Sequence, residues 1–187
     1  MRMKDVFKKK ILLALSLGSL FFASSSLALA ADLPVQGTGT FNAFKEVVGD
    51  VMKVYGAGTN NVLNWQSFDI AAGKTVRFDA VKDAETFSKT NNYLNLVNGS
   101  EMSKIYGTME GGNNVYLINP NGVLFGAESS VNVGNLHVST RALSDVDVNN
   151  FSANGTNPLS TAASSAAGDI TNMGELRADT VTIEGNN

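Results

Sequence analysis

A tight turn between two short apolar segments is the feature of this sequence that most constrains its fold. The turn, Asn119–Gly122, reads Asn-Pro-Asn-Gly and lies between Val115–Ile118 and Val123–Phe125. Pro120 fixes φ at the second turn position, and the Asn-Gly pair accepts the tight and left-handed conformations that complete a turn. Because the flanking segments are short and apolar, the stretch predicts two strands joined by a four-residue turn.

Period-two alternation indicates further short strands. Val131–Val133 and Leu136–Val138 alternate apolar and polar residues around a Gly-Asn pair, and Thr180–Ile183 follows the same scheme. Asp and Val alternate at 145–148, where we expect another strand. Such alternation, bounded by Gly and Asn, is typical of half-buried strands. We therefore expect an all-β fold.

A weak internal repeat favours a solenoid. Residues 130–138 and 169–178 each contain an apolar pair, then Gly, a polar residue and Leu, as successive rungs of a solenoid would. A β-sandwich also has short strands, so it stays open on these grounds. Apolar residues at 41–55 fall near a helical period that glycines interrupt, so helix and strand both remain open there. Residues 151–169, rich in Ser, Ala, Asn and Gly, predict an excursion from the rungs or a flexible loop.

The amino terminus has the pattern of an export signal. A basic head ends at Lys10, an apolar run follows to Ala23, and Ala28–Ala30 supplies the small residues that signal peptidase reads. We expect residues 1–30 to be removed and residues 31–187 to form one domain. The apolar run is shorter than the ~18 residues that a membrane-spanning helix requires.

The charge balance and the scarcity of metal-binding side chains exclude several functions. Removal of the signal takes five basic residues and one acidic residue from 14 basic and 17 acidic residues, which leaves a mature net charge of −7. A nucleic-acid partner is therefore not expected, since it requires a basic surface. With one histidine and no cysteine, typical zinc sites and Cys-His catalysis are excluded.

A second block upstream of the turn carries a family resemblance. Asn64–Ile70 reads Asn-Trp-Gln-Ser-Phe-Asp-Ile. Together and in this order, the two blocks resemble the amino-terminal secretion domain of filamentous-haemagglutinin-type exoproteins, which are adhesins and toxins exported by two-partner secretion (TPS). The resemblance spans roughly residues 34 to 140 and is closest to the high-molecular-weight adhesin branch. Leu96 stands where many relatives have Arg, and Val123 where Ile is frequent.

The resemblance implies a right-handed parallel β-helix whose open end is capped by strands at 41–55. It implies that an outer-membrane β-barrel transporter recognises the extended chain through its periplasmic domains, and that the chain then folds at the surface of a Gram-negative-type bacterium. Signal peptidase is a further expected partner, and a host or surface receptor would bind a downstream region of a longer exoprotein. The motif for recognition or folding comprises Asn64, Trp65, Phe68, Ile70, Asn95, Asn119, Pro120, Asn121 and Gly122.

Other interpretations of single residues stay open at this point. Trp65 is expected to anchor the cap in the core, with carbohydrate stacking as the alternative. Asp145 and Asp147 would share a strand face, as either a solvated acidic surface or the paired carboxylates of a polysaccharide-degrading β-helix enzyme. His137 is expected to face solvent, and no nucleophile-elbow sequence accompanies it. We expect no catalytic residue, cofactor or metal. A structural surface protein, such as an autotransporter passenger, is a further alternative for the function of the chain.

Overall fold

The computed structural model describes residues 32–80 and 89–186. The expected signal peptide and its cleavage site lie outside the described residues. Within them the chain forms fifteen strands, one α-helix and one 3-10 turn. The strands are β1 (Val35–Phe41), β2 (Ala43–Val48), β3 (Val51–Gly56), β4 (Asn60–Ser67), β5 (Thr75–Asp79), β6 (Asn92–Val97), β7 (Ser103–Ile105), β8 (Thr108–Gly111), β9 (Asn114–Ile118), β10 (Val123–Phe125), β11 (Ser130–Asn132), β12 (Asn135–Ser139), β13 (Ile170–Asn172), β14 (Glu175–Arg177) and β15 (Thr180–Glu184).

The strands build a coil with three sheets as its sides. Sheet A has the order β1-β4-β6-β9-β12-β15, sheet B the order β14-β11-β8-β5-β3-β2, and sheet C the order β13-β10-β7. Each strand from β3 onward stacks in parallel on its counterpart in the neighbouring turn, here called a rung. The predicted parallel β-helix is therefore confirmed.

The first two strands cap the coil. β1 pairs antiparallel with β4, and β2 pairs antiparallel with β3. Residues 41–55 are therefore strands, as the family resemblance implied and as periodicity alone left undecided. The cap covers the backbone edge of the first rung, which would otherwise expose unpaired N–H and C=O groups.

Register stacks one inward side chain above another along the axis. In sheet A, Leu63, Asn95, Leu117, Val138 and Ile183 lie in one such row. The first four members are fully buried. Because strand side chains alternate between faces, this row faces the interior and the adjacent positions face outward. This row is therefore a column of aliphatic side chains interrupted by Asn95.

The outward face of sheet A is also apolar and is covered by an excursion, residues 141–169, that leaves the coil between β12 and β13. Val62, Leu94 and Tyr116 lie in one outward row, and they are buried against Phe151 and Leu159 of the excursion. The excursion holds α1 (Asp145–Asn154) and the 3-10 turn Pro158–Ser160. The excursion predicted at 151–169 is present, and it begins earlier than predicted, because α1 starts at Asp145.

The expected strand at 145–148 is wrong, because these residues begin α1. Ser144 is the N-cap: its hydroxyl accepts from the Asp147 N–H, and the Asp147 carboxylate accepts from the Ser144 N–H. This capping box satisfies two donors that a helix start leaves without partners. The Asp-Val alternation is too short to outweigh it.

The proposed repeat is correct in kind but wrong in register. β11 stacks on β14 and β12 stacks on β15, so Ser130 is aligned with Glu175. Residues 130–138 therefore correspond to 175–183, whereas the segment 169–178 covers β13 and β14. The Gly that both segments share marks a corner between strands, and corners recur on every side of the coil.

Candidate recognition motif

The aromatic and aliphatic members of the first block are interior residues. Trp65, Phe68 and Ile70 are at most 1% exposed. Trp65 makes edge-on ring contacts to Phe41 of the cap, with centroids 4.9 Å apart, and to Phe68, with centroids 5.5 Å apart. Trp65 thus anchors the cap in the core, and its burial leaves no ring face for carbohydrate stacking in the folded domain.

Ile70 starts the third side of the coil. It forms an isolated parallel bridge with Ile105, and its N–H donates to the Lys104 carbonyl at 3.0 Å. The adjacent Asp69 carboxylate accepts from the Lys104 N–H at 2.7 Å. Burial raises the pKa of Asp69, against the opposing effect of that hydrogen bond. The block Asn64–Ile70 therefore joins the first rung to the second.

Asn95 is a polar residue within the interior, and its neighbours satisfy it. The Trp65 indole N–H donates to Asn95 Oδ1 at 3.0 Å, and Asn95 Nδ2 donates to the Tyr116 carbonyl at 2.9 Å. A buried amide without partners would be costly. Asn95 therefore links the first block to the strand that precedes the turn.

The second block forms the predicted turn. The Gly122 N–H donates to the Asn119 carbonyl at 3.0 Å, which closes the four-residue turn. Gly122 has φ of 116°, and a Cβ there would lie 2.8 Å from the Asp169 carbonyl oxygen. This position therefore requires glycine, for both its backbone conformation and the close approach of the next rung.

Asn119 is the structural centre of the turn. Its Nδ2 donates to the Glu101 carbonyl and to Ser103 Oγ, both at 3.0 Å, so it ties the third rung to the second. Its Oδ1 accepts from the Asn121 N–H at 3.0 Å. Asn119 and Ser103 are both buried. The side chain thus bonds both within its own turn and across rungs.

The loop 98–100 connects the two blocks, although the nine predicted motif residues do not include it. The Asn98 N–H donates to the Trp65 carbonyl at 2.8 Å, and Asn98 Nδ2 donates to Asn64 Oδ1 at 2.6 Å. On the other side, Asn121 Nδ2 donates to the Gly99 carbonyl at 2.8 Å. The Asn98-Gly99 pair is an ordinary turn signal, so its bridging role depends on tertiary stacking.

A ladder of asparagines runs along the start of the sheet A strands; a stacked solenoid allows such ladders, but the sequence did not identify which asparagines take part. Asn92 Nδ2 donates to Asn60 Oδ1 at 2.7 Å, Asn114 Nδ2 to Asn92 Oδ1 at 2.8 Å, and Asn135 Nδ2 to Asn114 Oδ1 at 3.0 Å. Each amide thus bonds its equivalent in the next rung. The ladder favours this register, because a one-residue slip would turn every amide to the other face.

The nine predicted motif residues differ in their exposure to solvent. Asn64 and Pro120 are partly exposed and Asn121 is exposed. The other six are buried: Trp65, Phe68, Ile70, Asn95, Asn119 and Gly122. The folded domain therefore brings the two blocks together but hides most of their side chains.

Asp145 and Asp147 do not form a carboxylate pair on a strand. Asp145 is exposed in the first turn of α1, whereas Asp147 accepts from Thr161 Oγ1 at 2.5 Å and from Ser144 Oγ at 2.7 Å. These hydrogen bonds lower the pKa of Asp147. A carboxylate held ionised by its cap has a structural role, and this arrangement does not fit paired acid–base chemistry.

The expectation that His137 faces solvent is also wrong. It points outward from sheet A but is 8% exposed, because Tyr116 stacks on it with centroids 4.4 Å apart and Phe151 packs on Tyr116. Burial lowers the pKa of His137, and the Glu184 charge opposes that effect. The alternation pattern cannot reveal this stack, because Tyr116 lies one rung away and Phe151 lies in the excursion.

Two further structural findings concern residues 32–80 and 89–186. No group of three or more His, Cys, Asp or Glu side chains there is arranged to hold a metal ion. None of the helices in the same ranges has the length and apolar character that crossing a bilayer requires.

Comparisons with known proteins agree with this geometry. A family model described as "TPS secretion domain" matches residues 46–187. A heme/hemopexin-binding protein of Haemophilus influenzae is 31% identical over 130 residues, which cover 68% of this chain and 14% of that protein. A second heme/hemopexin-binding protein of Haemophilus influenzae is 26% identical over 132 residues, covering 70% of this chain and 14% of that protein. The chain therefore spans about 14% of the length of these curated relatives.

A solved structure has the same fold. The crystal structure of the HMW1 secretion domain from Haemophilus influenzae superposes with a TM-score of 0.62 at 21% sequence identity. The superposition covers 80% of this chain and 38% of that one. At this identity the likeness supports the β-helix fold and nothing finer.

Proposed function

The chain belongs to the family of TPS secretion domains, and we propose that it directs the export of a larger protein by presenting its motif residues to an outer-membrane β-barrel transporter. In this proposal the transporter's periplasmic domains bind the motif in an extended chain, and the β-helix forms after passage. The domain acts by recognition, with no catalytic step of its own.

The burial of the motif side chains is the observation that carries this proposal. Six of the nine residues lie inside the folded coil, where a partner cannot reach them. A transporter that reads Trp65, Phe68 or Asn119 must therefore read them before the rungs close. The strand edge of a receptor domain suits an extended ligand, because main-chain hydrogen bonds supply affinity and pockets for alternate side chains supply specificity.

Rung stacking supplies a driving force for outward movement. Full burial of a side chain such as Leu117 or Val138 contributes about 1.5–3 kcal/mol. Each rung that folds outside adds several such terms and pairs a further set of backbone groups. Folding on the far side of the membrane therefore opposes return of the chain.

We extend the proposal to the whole protein. Signal peptidase would remove residues 1–30, and the exported protein would act at the cell surface as an adhesin. Receptor binding would then reside in parts of the protein outside this domain. The small share of the curated relatives that this chain matches is consistent with a domain that serves export alone.

An unfolded variant tests the proposal. Leu117→Asp places a carboxylate in the core, where an unpaired charge costs several kcal/mol, and leaves every motif residue unchanged. We expect the cognate transporter's periplasmic domains to bind unfolded Leu117→Asp chains of residues 31–187 and to bind the folded wild-type domain much more weakly. Surface plasmon resonance with immobilised transporter domains measures both.

The matched control is an unfolded chain that also carries Asn119→Ala and Asn121→Ala. Weaker binding by this chain would support side-chain recognition of the motif. Equal binding by both unfolded chains would assign the motif to folding instead. Tight binding of the folded domain together with no binding of the unfolded chains would refute recognition in extended form.

A further inference from the structure

A cleft of about 320 Å³ opens on the outer face of sheet A, beside the point where the excursion leaves the coil. Leu96 and Ile118 are register neighbours on the sheet and form its floor. Leu143 and Val148 of the excursion and Pro120 of the turn form its walls. These residues come from two rungs and the excursion, so the cleft exists only in the folded domain.

The polar side chains of the cleft supply hydrogen-bond acceptors, and no positively charged side chain lines it. Its lining includes Asn64, Asn98 and Asp145, and no basic residue. Within the described part of the chain, the Asp145 carboxylate makes no hydrogen bond or ion pair, and Asn98 Oδ1 accepts no hydrogen bond. Asp145 lies in the first turn of α1 and is exposed. The cleft is therefore complementary to a positive charge.

One residue at the mouth of the cleft, Leu143, has both of its main-chain groups free in the described ranges. Ala142 follows the antiparallel bridge between Arg141 and Ala166, so its N–H faces the excursion, and its carbonyl accepts from Ser164 Oγ at 2.6 Å. The Leu143 N–H and carbonyl have no hydrogen-bond partner among residues 32–80 and 89–186. Ala142 is exposed. An extended peptide can pair with such groups as an added strand.

We propose that this cleft binds the lysine side chain of an extended segment of a partner protein that meets the folded domain. The aliphatic stem of lysine packs on Leu96, Ile118 and Val148, as long basic side chains do on apolar surfaces. Its ammonium group donates to Asp145 and to Asn98 Oδ1, while the partner backbone pairs with the N–H and carbonyl of Leu143. This partner is encountered after folding, so it is distinct from the one that reads the extended chain.

A peptide titration tests the proposal on the folded chain. The probe is acetyl-Ser-Thr-Lys-Thr-Ser-amide, and the comparison peptide carries norleucine, which keeps the stem without the charge. Methyl chemical shifts of Leu96, Ile118 and Val148 report occupancy. We expect the lysine peptide to bind at least about tenfold more tightly than the norleucine peptide, as a lost charge-assisted hydrogen bond implies. Equal affinities, or no shift with the lysine peptide, would overturn the proposal.

Two further experiments show whether Asp145 binds the ammonium group and whether the peptide backbone contributes to the affinity. Asp145→Asn should lower the affinity for the lysine peptide at least about fivefold. Asp179→Asn makes the same change at an exposed residue outside the cleft and should leave that affinity unchanged. Unchanged methyl shifts without peptide confirm that both variants fold. n-Butylamine supplies stem and charge without a backbone, and binding as tight as that of the peptide would assign the cleft to free amines and refute a protein partner.

Discussion

At the scale of single residues, Asn119 holds the second rung to the third. Asn119→Ala removes both cross-rung hydrogen bonds and leaves the Glu101 carbonyl and the Ser103 hydroxyl without that donor. We expect a loss of about 1–3 kcal/mol in the free energy of unfolding, the cost of unsatisfied buried polar groups. Urea unfolding measures it. Asn121→Ala, at an exposed position of the same turn, is the control, and an equal loss there would contradict the assigned role.

His137 makes stability depend on pH. Its pKa is lowered in the folded domain by burial, so the unfolded chain binds more protons near the ordinary histidine pKa of about 6.5. The stabilisation that comes from burying the neutral His137 ring is fully present above that pKa and is lost as the pH falls below it. We expect the unfolding free energy of the wild type to fall more steeply between pH 7.5 and 5.5 than that of His137→Gln. Parallel pH profiles would show that the ring titrates normally.

At the scale of elements, the sequence predicts local structure where the residue types themselves restrict the backbone conformation. The turn at Asn119–Gly122 could be predicted because proline and glycine determine φ independently of packing. The short strands followed from alternation. The helix α1 was missed because four residues of Asp-Val alternation resemble a strand, although Ser144 followed three residues later by an acidic side chain resembles a capping box. The acidic partner at this position is Asp, whereas the usual signature has Glu or Gln.

The capping box should determine whether α1 stays docked on the sheet. Ser144→Ala removes the hydroxyl that accepts from the Asp147 N–H and donates to its carboxylate, a loss that costs about 1 kcal/mol at an N-cap. Because α1 lies outside the coil, we expect faster amide hydrogen exchange in residues 145–154. Exchange in β9 and β12 should stay unchanged. Equal acceleration in those strands would mean that the excursion and the coil open as one unit.

At the scale of the whole molecule, the sequence predicted the architecture but not the contacts between distant rungs. The family blocks and the alternation identified a capped β-helix. Three groups of contacts depend on which residues the coil places one rung apart: the bridge through Asn98 and Gly99, the asparagine ladder, and the stack of Tyr116 on His137. A separation of 21 residues joins Asn114 to its register partner Asn135, whereas the excursion stretches the equivalent step to 45 residues between Ser130 and Glu175. No fixed period marks these pairs in the sequence.

Stacking also predicts how the cost of one substitution varies along the axis. Leu117 lies in the third rung, is fully buried and has neighbours in rungs on both sides, whereas Leu176 in β14 is only partly buried. Leu117→Ala should therefore lower the free energy of unfolding by about 2–5 kcal/mol, because it leaves a cavity between two rungs.

Leu176→Ala removes the same atoms from a site with less burial, and we expect it to cost less than half as much, since stability in a solenoid is a sum of terms between neighbouring rungs. Urea unfolding of both variants, with unchanged m-values, provides the comparison. If Leu176→Ala were as costly as Leu117→Ala, the rungs would share one undivided core, and outward folding rung by rung would lose its energetic basis.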